Sequence, residues 1–335
     1  MDLGITTFAE THAVDGRPTS AEERLAQVLD EAVLADQVGL HVYGVGEHHR
    51  ADFAASAPAI VLAAIAARTS HVRLQSAVTV LSTTDPVRVF QDFATVDLIS
   101  HGRAEIIAGR GSFTESFPLF GESLEDYDEL FAAKLELLLA LRSSERVTWS
   151  GRFRPPLVDQ AVYPRPVQDR LPIWLGVGGN PPSVVRAGRL GLPLVLAIIG
   201  GEPARFAPLV GLYRQALEQA QQPEQPVAVN AHGYVAATTE QAYEEFYGPY
   251  ARAMTLLGRE RGWPPMNRQA FAQLASPEGS LVIGDPRTVA DKILRMREVL
   301  GISRFQLHTS VGTMPAEHVH RCIELLGTEV AKMLA

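Results

Sequence analysis

The chain of 335 residues is long enough for about two average domains or one large barrel. Its composition of 46% apolar and 20% charged residues excludes a disordered, collagen-like or coiled-coil protein. The net charge of -8 argues against nucleic-acid or anionic membrane partners, and the single cysteine, Cys322, cannot form an intrachain disulfide. Because the chain has no basic leader and no apolar run of about 18 residues, we expect a cytoplasmic protein without a membrane partner.

Short β-branched apolar segments alternate along the chain with longer helical patterns. The apolar segments predict strands at Leu3–Phe8, Val42–Gly46, Val72–Leu81, Ala104–Ala108, Ile173–Val177, Leu194–Ile199, Val227–Val235 and Arg304–His308. A 3.6-residue period predicts helices at Glu22–Val38, Ala57–Arg68, Val87–Ile99, Leu124–Leu141, Pro181–Leu190, Glu202–Gln219 and Val289–Leu300. We therefore predict an α/β fold, a (β/α)8 TIM barrel forming a single domain over residues 1–335, with an open doubly wound sheet as the alternative.

Two segments are longer than a barrel connection requires. Residues from about 111 to 172 separate the fourth and fifth strands, and residues from about 238 to 284 separate the last two. Insertions after barrel strands lie at the carboxyl-terminal face, where active sites are built. We interpret both insertions as lid or substrate-wall elements, with decorative loops or an oligomer contact as the alternative.

Ionisable residues cluster directly after the second strand, in Gly46-Glu-His-His-Arg50. An imidazole at this place can act as a general acid or base, although a structural loop histidine is an equal alternative. Adjacent His48 and His49 point apart in extended chain, so at most one is expected to face the site. A catalytic metal is not expected, because His318 and His320 lie two residues apart in a helical pattern and face apart.

Glycine-rich turns follow the fourth and fifth strands. Gly109-Arg110-Gly111 lets a guanidinium and the backbone approach one planar or anionic ligand. Gly176-x-Gly178-Gly179-Asn180 leads into a helix, whose N-terminal N–H groups favour a phosphate. This spacing is not the dinucleotide fingerprint, so a phosphate site fits better than a Rossmann site. After the third strand, Asp85 followed by Pro86 predicts a capped helix start.

The ordered series of these motifs resembles the luciferase-like, flavin-dependent monooxygenase family, to which bacterial luciferase belongs. The matching segments are Glu47–His49, Ala77–Arg88, Ile99–Arg103, Ala108–Gly111, Phe120–Gly121, Pro172–Gly179, Gly191–Leu194 and Gly284–Ala290. They extend over most of the chain, up to about residue 200 and again from about residue 280.

The resemblance implies a barrel with FMN at its carboxyl-terminal mouth. His48 matches the histidine that is the catalytic base in luciferase, and Arg110, beside Gly109, matches the arginine that reaches the flavin phosphate. Ala77 and Val78 match a peptide bond that is often cis in the family and lies against the flavin ring. The remaining candidate cofactor-binding residues form the loop and helix start around the phosphate: Val177, Gly178, Gly179, Asn180 and Ser183.

In function, the resemblance implies a two-component monooxygenase that uses reduced FMN as a co-substrate and O2 on a small organic substrate. A separate flavin reductase would supply the reduced FMN. Two alternatives are an F420-dependent oxidoreductase on the same barrel and a flavin-binding protein without turnover. Gly109 and Gly179 stand where luciferase has a cysteine and a carboxylate, so light emission is not implied.

Two further expectations concern apolar surfaces. Phe8, Phe113 and Phe117 are expected to line an apolar mouth. In the helix Ala57–Ala67, the small apolar residues Ala59, Ile60, Ala63, Ala64 and Ala67 favour packing in the core, with an oligomer contact as the alternative. The family resemblance implies a homodimer.

Overall fold

A computed structural model describes residues 1–12, 17 and 19–335. Its strands are β1 (Asp2–Thr7), β2 (Val42–Val45), β3 (Arg73–Val80), β4 (Ala104–Gly109), β5 (Arg146–Gly151), β6 (Arg154–Ala161), β7 (Ile173–Val177), β8 (Leu194–Ile198), β9 (Val227–Val235), β10 (Val282–Gly284) and β11 (Arg304–His308). Its helices are α1 (Ala21–Gln37), α2 (Pro58–Ala66), α3 (Pro86–Ser100), α4 (Ser116–Leu119), α5 (Tyr127–Ser143), α6 (Pro181–Arg189), α7 (Ala207–Gln219), α8 (Thr239–Arg261), α9 (Arg268–Ala275), α10 (Pro286–Leu300), α11 (Ala316–Leu325) and α12 (Ala331–Met333). No helix in these ranges is both long and apolar enough to cross a membrane.

Eight parallel strands close into a barrel in the order β1, β2, β3, β4, β7, β8, β9 and β11. Closure is completed by β11, which pairs with β1 from Asp2–Arg304 to Thr6–His308. All eight predicted strands are confirmed, and so is the (β/α)8 barrel; the open-sheet alternative is wrong. Closure leaves the barrel strands without a free edge, and the helices cover their outer faces.

A charged layer fills the amino-terminal end of the barrel interior. Glu105 accepts hydrogen bonds from Arg304 Nη1 at 2.6 Å and from Gln75 Nε2 at 2.9 Å. The guanidinium of Arg304 lies 4.6 Å from the centroid of the Trp174 ring. Paired charges and an aromatic ring fill this end, so it leaves no room for a ligand. The carboxyl-terminal mouth is therefore the end at which a ligand can enter the barrel.

Three helices begin with the same pair of residues, a capping Asp or Asn followed by Pro. Asp85 caps α3 by accepting from the backbone N–H of Val87 at 2.8 Å, as the sequence predicted. Asn180–Pro181 begins α6 and Asp285–Pro286 begins α10 in the same manner. Each pair satisfies orphan N–H groups and presets the first helical φ angle, which fixes where a helix begins at the mouth.

The long segment between β4 and β7 contains the barrel helix α5, which packs against α3. Its excess length is α4 together with the antiparallel hairpin of β5 and β6. The hairpin packs on α5, and Arg154 Nε contacts Asp85 Oδ2 at 3.1 Å, so the hairpin follows the outer flank of the barrel. The other insertion forms α8, α9 and the short β10, which pairs with the end of β9.

Helix α2 presents an apolar face at the surface. Ile60 is 73% exposed, and Ala64 and Ala67 are also exposed, whereas Leu62 and Ile65 are buried. The favoured explanation of core packing is therefore wrong for this face. The helix is apolar around its whole circumference, but only one side can contact the barrel.

Candidate functional site

The mouth of the barrel holds an imidazole among aromatic rings. The His48 ring stacks on Phe53 at 4.2 Å between centroids and meets the edges of Phe8 and Phe113 at 4.7 and 5.1 Å. Burial lowers the pKa of His48 to about 4. The ring is therefore neutral near pH 7, the form that a general base requires.

The neighbouring histidine has a different environment. His49 Nε2 lies 2.9 Å from Glu47 Oε1, and the other carboxylate oxygen of Glu47 accepts from the backbone N–H of Val80 at 2.9 Å. His49 also meets the edge of Phe120. The two histidines thus diverge, as predicted from extended chain, and the Glu47–His49 pair ties the loop after β2 to the end of β3.

A second buried polar group lies on the other side of Phe8, at the end of β11. Glu10 Oε1 lies 2.9 Å from His308 Nε2, and Glu10 Oε2 accepts from the Ser310 hydroxyl at 2.9 Å. The Phe8 ring is 4.2 Å from His308, which places this network behind the wall of the His48 cage. Burial alone would raise the pKa of Glu10, but the charge and hydrogen bond of His308 lower it to about 2.

Glycines shape the mouth beside β3. The Ala77–Val78 peptide bond is cis, as the family resemblance implied. A Cβ on Gly109 would lie 2.4 Å from Val78 Cγ2, and one on Gly176 would lie 3.1 Å from Val78 Cγ1. A Cβ on Gly178 would meet no atom within 4 Å. The glycines therefore make room for Val78 and leave open space at the end of β7.

The start of α6 lies beside the end of β4, because β4 and β7 are hydrogen-bonded neighbours. Asn180 Oδ1 accepts from the backbone N–H of Ser183 at 3.1 Å, and Gly179 has a φ of +117°, which favours glycine. Arg110, which directly follows β4, donates from Nη1 to Asp128 at 2.5 Å. The structure thus places the expected phosphate arginine and the capped helix start at adjacent strand ends.

Phe113, in the first insertion, lies beside His48 and contacts Arg261 of the second insertion. The guanidinium of Arg50 lies 5.0 Å from the Phe113 ring and that of Arg261 lies 5.7 Å from it. Arg50 also forms a two-point ion pair with Glu260, at 2.8 and 2.5 Å. Phe117 was expected at the mouth, but it is fully buried and stacks on Tyr127 at 5.5 Å, so that expectation is wrong.

The other candidate groups lie away from the mouth. Cys322 is buried in α11, where burial raises its pKa to about 12 and keeps the thiol protonated. Within residues 1–12, 17 and 19–335, no three His, Cys, Asp or Glu side chains converge as metal ligands would. His318 Nε2 lies 3.7 Å from Glu245 Oε1, and both side chains are partly buried.

Sequence reasoning missed Glu10, Asp128 and Arg186. Glu10 follows β1 in no recognisable motif, and its contact with His308 spans 298 residues. Asp128 and Arg186 lie inside helices, where a charged side chain is ordinary. A signal was available only for Arg186, which lies one turn after Ser183 and so shares its helix face.

Comparison with known proteins decides the family. Residues 1–304 match the model of a family described as luciferase-like monooxygenase. The chain belongs to the luciferase-like monooxygenase family. This membership confirms the resemblance drawn from the motifs and places the protein among flavin-dependent oxidoreductases.

Individual relatives span this class. The oxygenase component of the flavin-dependent trigonelline monooxygenase of Acinetobacter baylyi is 24% identical over 93% of this chain and 91% of its own length. An F420-dependent glucose-6-phosphate dehydrogenase of Amycolatopsis mediterranei is 33% identical over 52% of this chain and 55% of its own. The crystal structure of the monooxygenase RslO1 from Streptomyces bottropensis superposes with a TM-score of 0.83 at 25% identity, covering both chains fully.

Proposed function

We propose that this protein is the oxygenase component of a two-component monooxygenase that acts on a small organic substrate with reduced FMN and O2. The observation that carries the proposal is the neutral, caged imidazole of His48 at the same barrel mouth as Arg110 and the capped start of α6. The side of the mouth at His48 suits proton transfer, and the side at Arg110 and the start of α6 suits binding of a phosphate. Family membership supports the reaction class.

The residues at the mouth fit a flavin mononucleotide. Gly178 leaves open space at the end of β7, and α6 presents the positive end of its dipole to an anion. In the proposal, Ala77, Val78 and Gly109 contact the ring system. Arg110 and the loop made of Val177, Gly178, Gly179, Asn180 and Ser183 hold the phosphate. When bound, reduced FMN supplies the electrons that activate O2.

The chain itself contributes proton transfer and water exclusion. In the proposal, a ring nitrogen of His48 accepts a proton released during the reaction, because the neutral ring dominates near pH 7. Phe8, Phe53 and Phe113 exclude water from that ring, and the Arg50–Glu260 pair holds the loop that carries Phe113. Because the two insertions meet there, we propose that they form the lid that opens for the substrate.

A flavin titration tests this proposal. Purified protein is mixed with FMN, reduced FMN, riboflavin and F420, and binding is followed by absorbance and fluorescence. We expect FMN or reduced FMN to bind, and Arg110→Ala to weaken that binding about 10- to 100-fold without changing riboflavin affinity, because a charge-assisted phosphate contact is lost. Arg146→Ala, at an exposed ion pair on the hairpin, is the matched control.

The outcomes separate the alternatives. Binding of F420 alone would contradict the monooxygenase and favour the F420-dependent oxidoreductase. Binding of reduced FMN without any change in its reaction with O2, relative to free reduced FMN, would favour a flavin-binding protein without turnover. No binding of any flavin would overturn the site itself. Because free reduced FMN reacts with O2 by itself, the reductase with FMN but without this protein is the control, and only the difference from it counts toward a two-component system.

We also infer a homodimer formed through the exposed face of α2. Ile60, Ala64 and Ala67 offer a small-residue apolar surface, and Leu98 and Ile99 at the end of the adjacent α3 are both partly exposed. Such a surface suits close helix–helix packing. Sedimentation is expected to show a dimer for the wild type and a monomer for Ile60→Glu. Val158→Glu, on the exposed hairpin, should leave the dimer intact; a monomeric wild type would contradict the inference.

A further inference from the structure

Arg186, in the second turn of α6, has a buried nitrogen without a partner. Its Nη1 is buried, and no hydrogen-bond acceptor lies within reach of it in the described part of the chain. A buried donor without an acceptor is costly in free energy, so an anion that pairs with this guanidinium would offset part of that cost. Helical side chains lean toward the helix N-terminus, so the long Arg186 side chain extends over the turn that carries Ser183.

Two charged residues from neighbouring elements influence the charge of this guanidinium. Burial lowers the pKa of Arg186, while the charge of Asp128 raises it and that of Arg110 lowers it. The guanidinium also lies 5.6 Å from the ring of Phe131, one turn after Asp128 on α5. Arg110, Asp128 and Arg186 therefore form one electrostatic group with two positive charges and one negative charge.

The Asp128 carboxylate, the only one in this group, already accepts a hydrogen bond from Arg110. Asp128 accepts from Arg110 Nη1 at 2.5 Å, and its side chain is 71% exposed, whereas that of Arg110 is 21% exposed. The exposed carboxylate can turn to solvent at little cost in free energy, because solvent screens an ion pair at the surface. A dianionic phosphate between the two guanidiniums would pair with Arg110 and with the accessible side of Arg186, and would release Asp128.

We propose that Arg186 is a second phosphate-binding arginine. We further propose that the Asp128 carboxylate stays hydrogen-bonded to Arg110 until a phosphate monoester displaces it. The ligand chemistry is a phosphate monoester dianion, which FMN carries and riboflavin lacks. The inference rests on the proposed flavin function, because FMN is the expected source of that phosphate. Asp128 then lowers phosphate affinity, and Arg186 raises it.

Substitutions of Arg186 and Asp128 are expected to change FMN affinity in opposite directions. Arg186→Gln should weaken FMN binding about 10- to 100-fold and leave riboflavin binding unchanged, since a charged hydrogen bond to phosphate is lost. Asp128→Asn should tighten FMN binding several-fold, again without effect on riboflavin, because Arg110 no longer has a competing anion. Arg189→Gln, an exposed residue one turn later on α6, is the matched control and should change neither affinity.

The experiment is a titration of wild type and the three variants with FMN and riboflavin by flavin fluorescence, with inorganic phosphate as competitor. A wild-type FMN-to-riboflavin affinity ratio in both Arg186→Gln and Asp128→Asn would overturn the inference. If the melting curve shows that Arg186→Gln does not fold, the Asp128→Asn variant alone tests the inference. A raised FMN-to-riboflavin affinity ratio in that variant supports competition between Asp128 and phosphate, and an unchanged ratio overturns it. Phosphate should compete with FMN and not with riboflavin.

Failure of this inference is distinguishable from failure of the proposed function. If wild type binds neither FMN nor riboflavin, the flavin function falls and the inference falls with it. If FMN binds and depends on Arg110 but not on Arg186 or Asp128, the flavin function stands. In that case the unpartnered nitrogen of Arg186 has only a structural role beside Phe131.

Discussion

Replacing His48 with alanine or glutamine is expected to lower kcat/KM by about 100- to 10,000-fold, the range for loss of a general acid–base group. FMN affinity should stay within about threefold of wild type, because the candidate phosphate contacts lie elsewhere at the mouth. Glutamine is the sharper variant, since it keeps polar bulk inside the cage of Phe8, Phe53 and Phe113. The rate is measured as steady-state O2 consumption with an added reductase after subtraction of the rate for reductase and FMN alone, and the flavin titration measures binding.

The pH profile gives an independent check of this role. Burial holds the pKa of His48 at about 4, so the ring gains its proton only in acid. The wild-type kcat/KM should therefore be flat through neutrality and fall as the pH drops toward 4, and this acid limb should vanish in His48→Gln. Phe53→Leu, which removes the stacking partner but no titratable group, should keep the limb. Wild-type rates in His48→Gln would remove His48 from the mechanism.

Replacing Glu10 with leucine is expected to lower the free energy of unfolding by about 3–5 kcal/mol at pH 7. The substitution leaves the polar atoms of His308 and Ser310 buried without their carboxylate partner. Denaturant unfolding of wild type and variant measures the difference. Glu244→Leu is the control, because Glu244 and Arg268 form a two-point ion pair at the surface, where solvent screening leaves such a pair little effect on stability.

The same carboxylate predicts how wild-type stability depends on pH. The pKa of Glu10 is lowered from 4.5 to about 2, so the folded protein binds fewer protons than the unfolded chain within that window. The contribution of Glu10 is complete above pH 4.5 and is lost as the pH falls toward 2. Glu10→Leu should lack this part of the acid dependence. Equal losses of stability in Glu10→Leu and Glu244→Leu would contradict the role of the buried network.

Part of the candidate site followed from local patterns. His48 and Arg110 each follow a strand that its apolar β-branched residues predict, so their place at the mouth required no knowledge of distant contacts. The start of α6 was predictable because Asn180 and Pro181 are a local cap. Glu10, Asp128 and Arg186 carry no such local mark, since their significance comes from partners on other elements.

The sequence alone determined the eight strands, the starts of α3 and α6 and the family, because these depend on residue periodicity, capping and motif order within short windows. Only the tertiary structure decided that Phe117 is buried, that α2 exposes Ile60 and that Phe113 lies between Arg50 and Arg261. An apolar side chain has the same local signature whether it packs inward, lines a mouth or faces solvent. Which of these occurs depends on the neighbours that barrel closure brings to it from far along the chain.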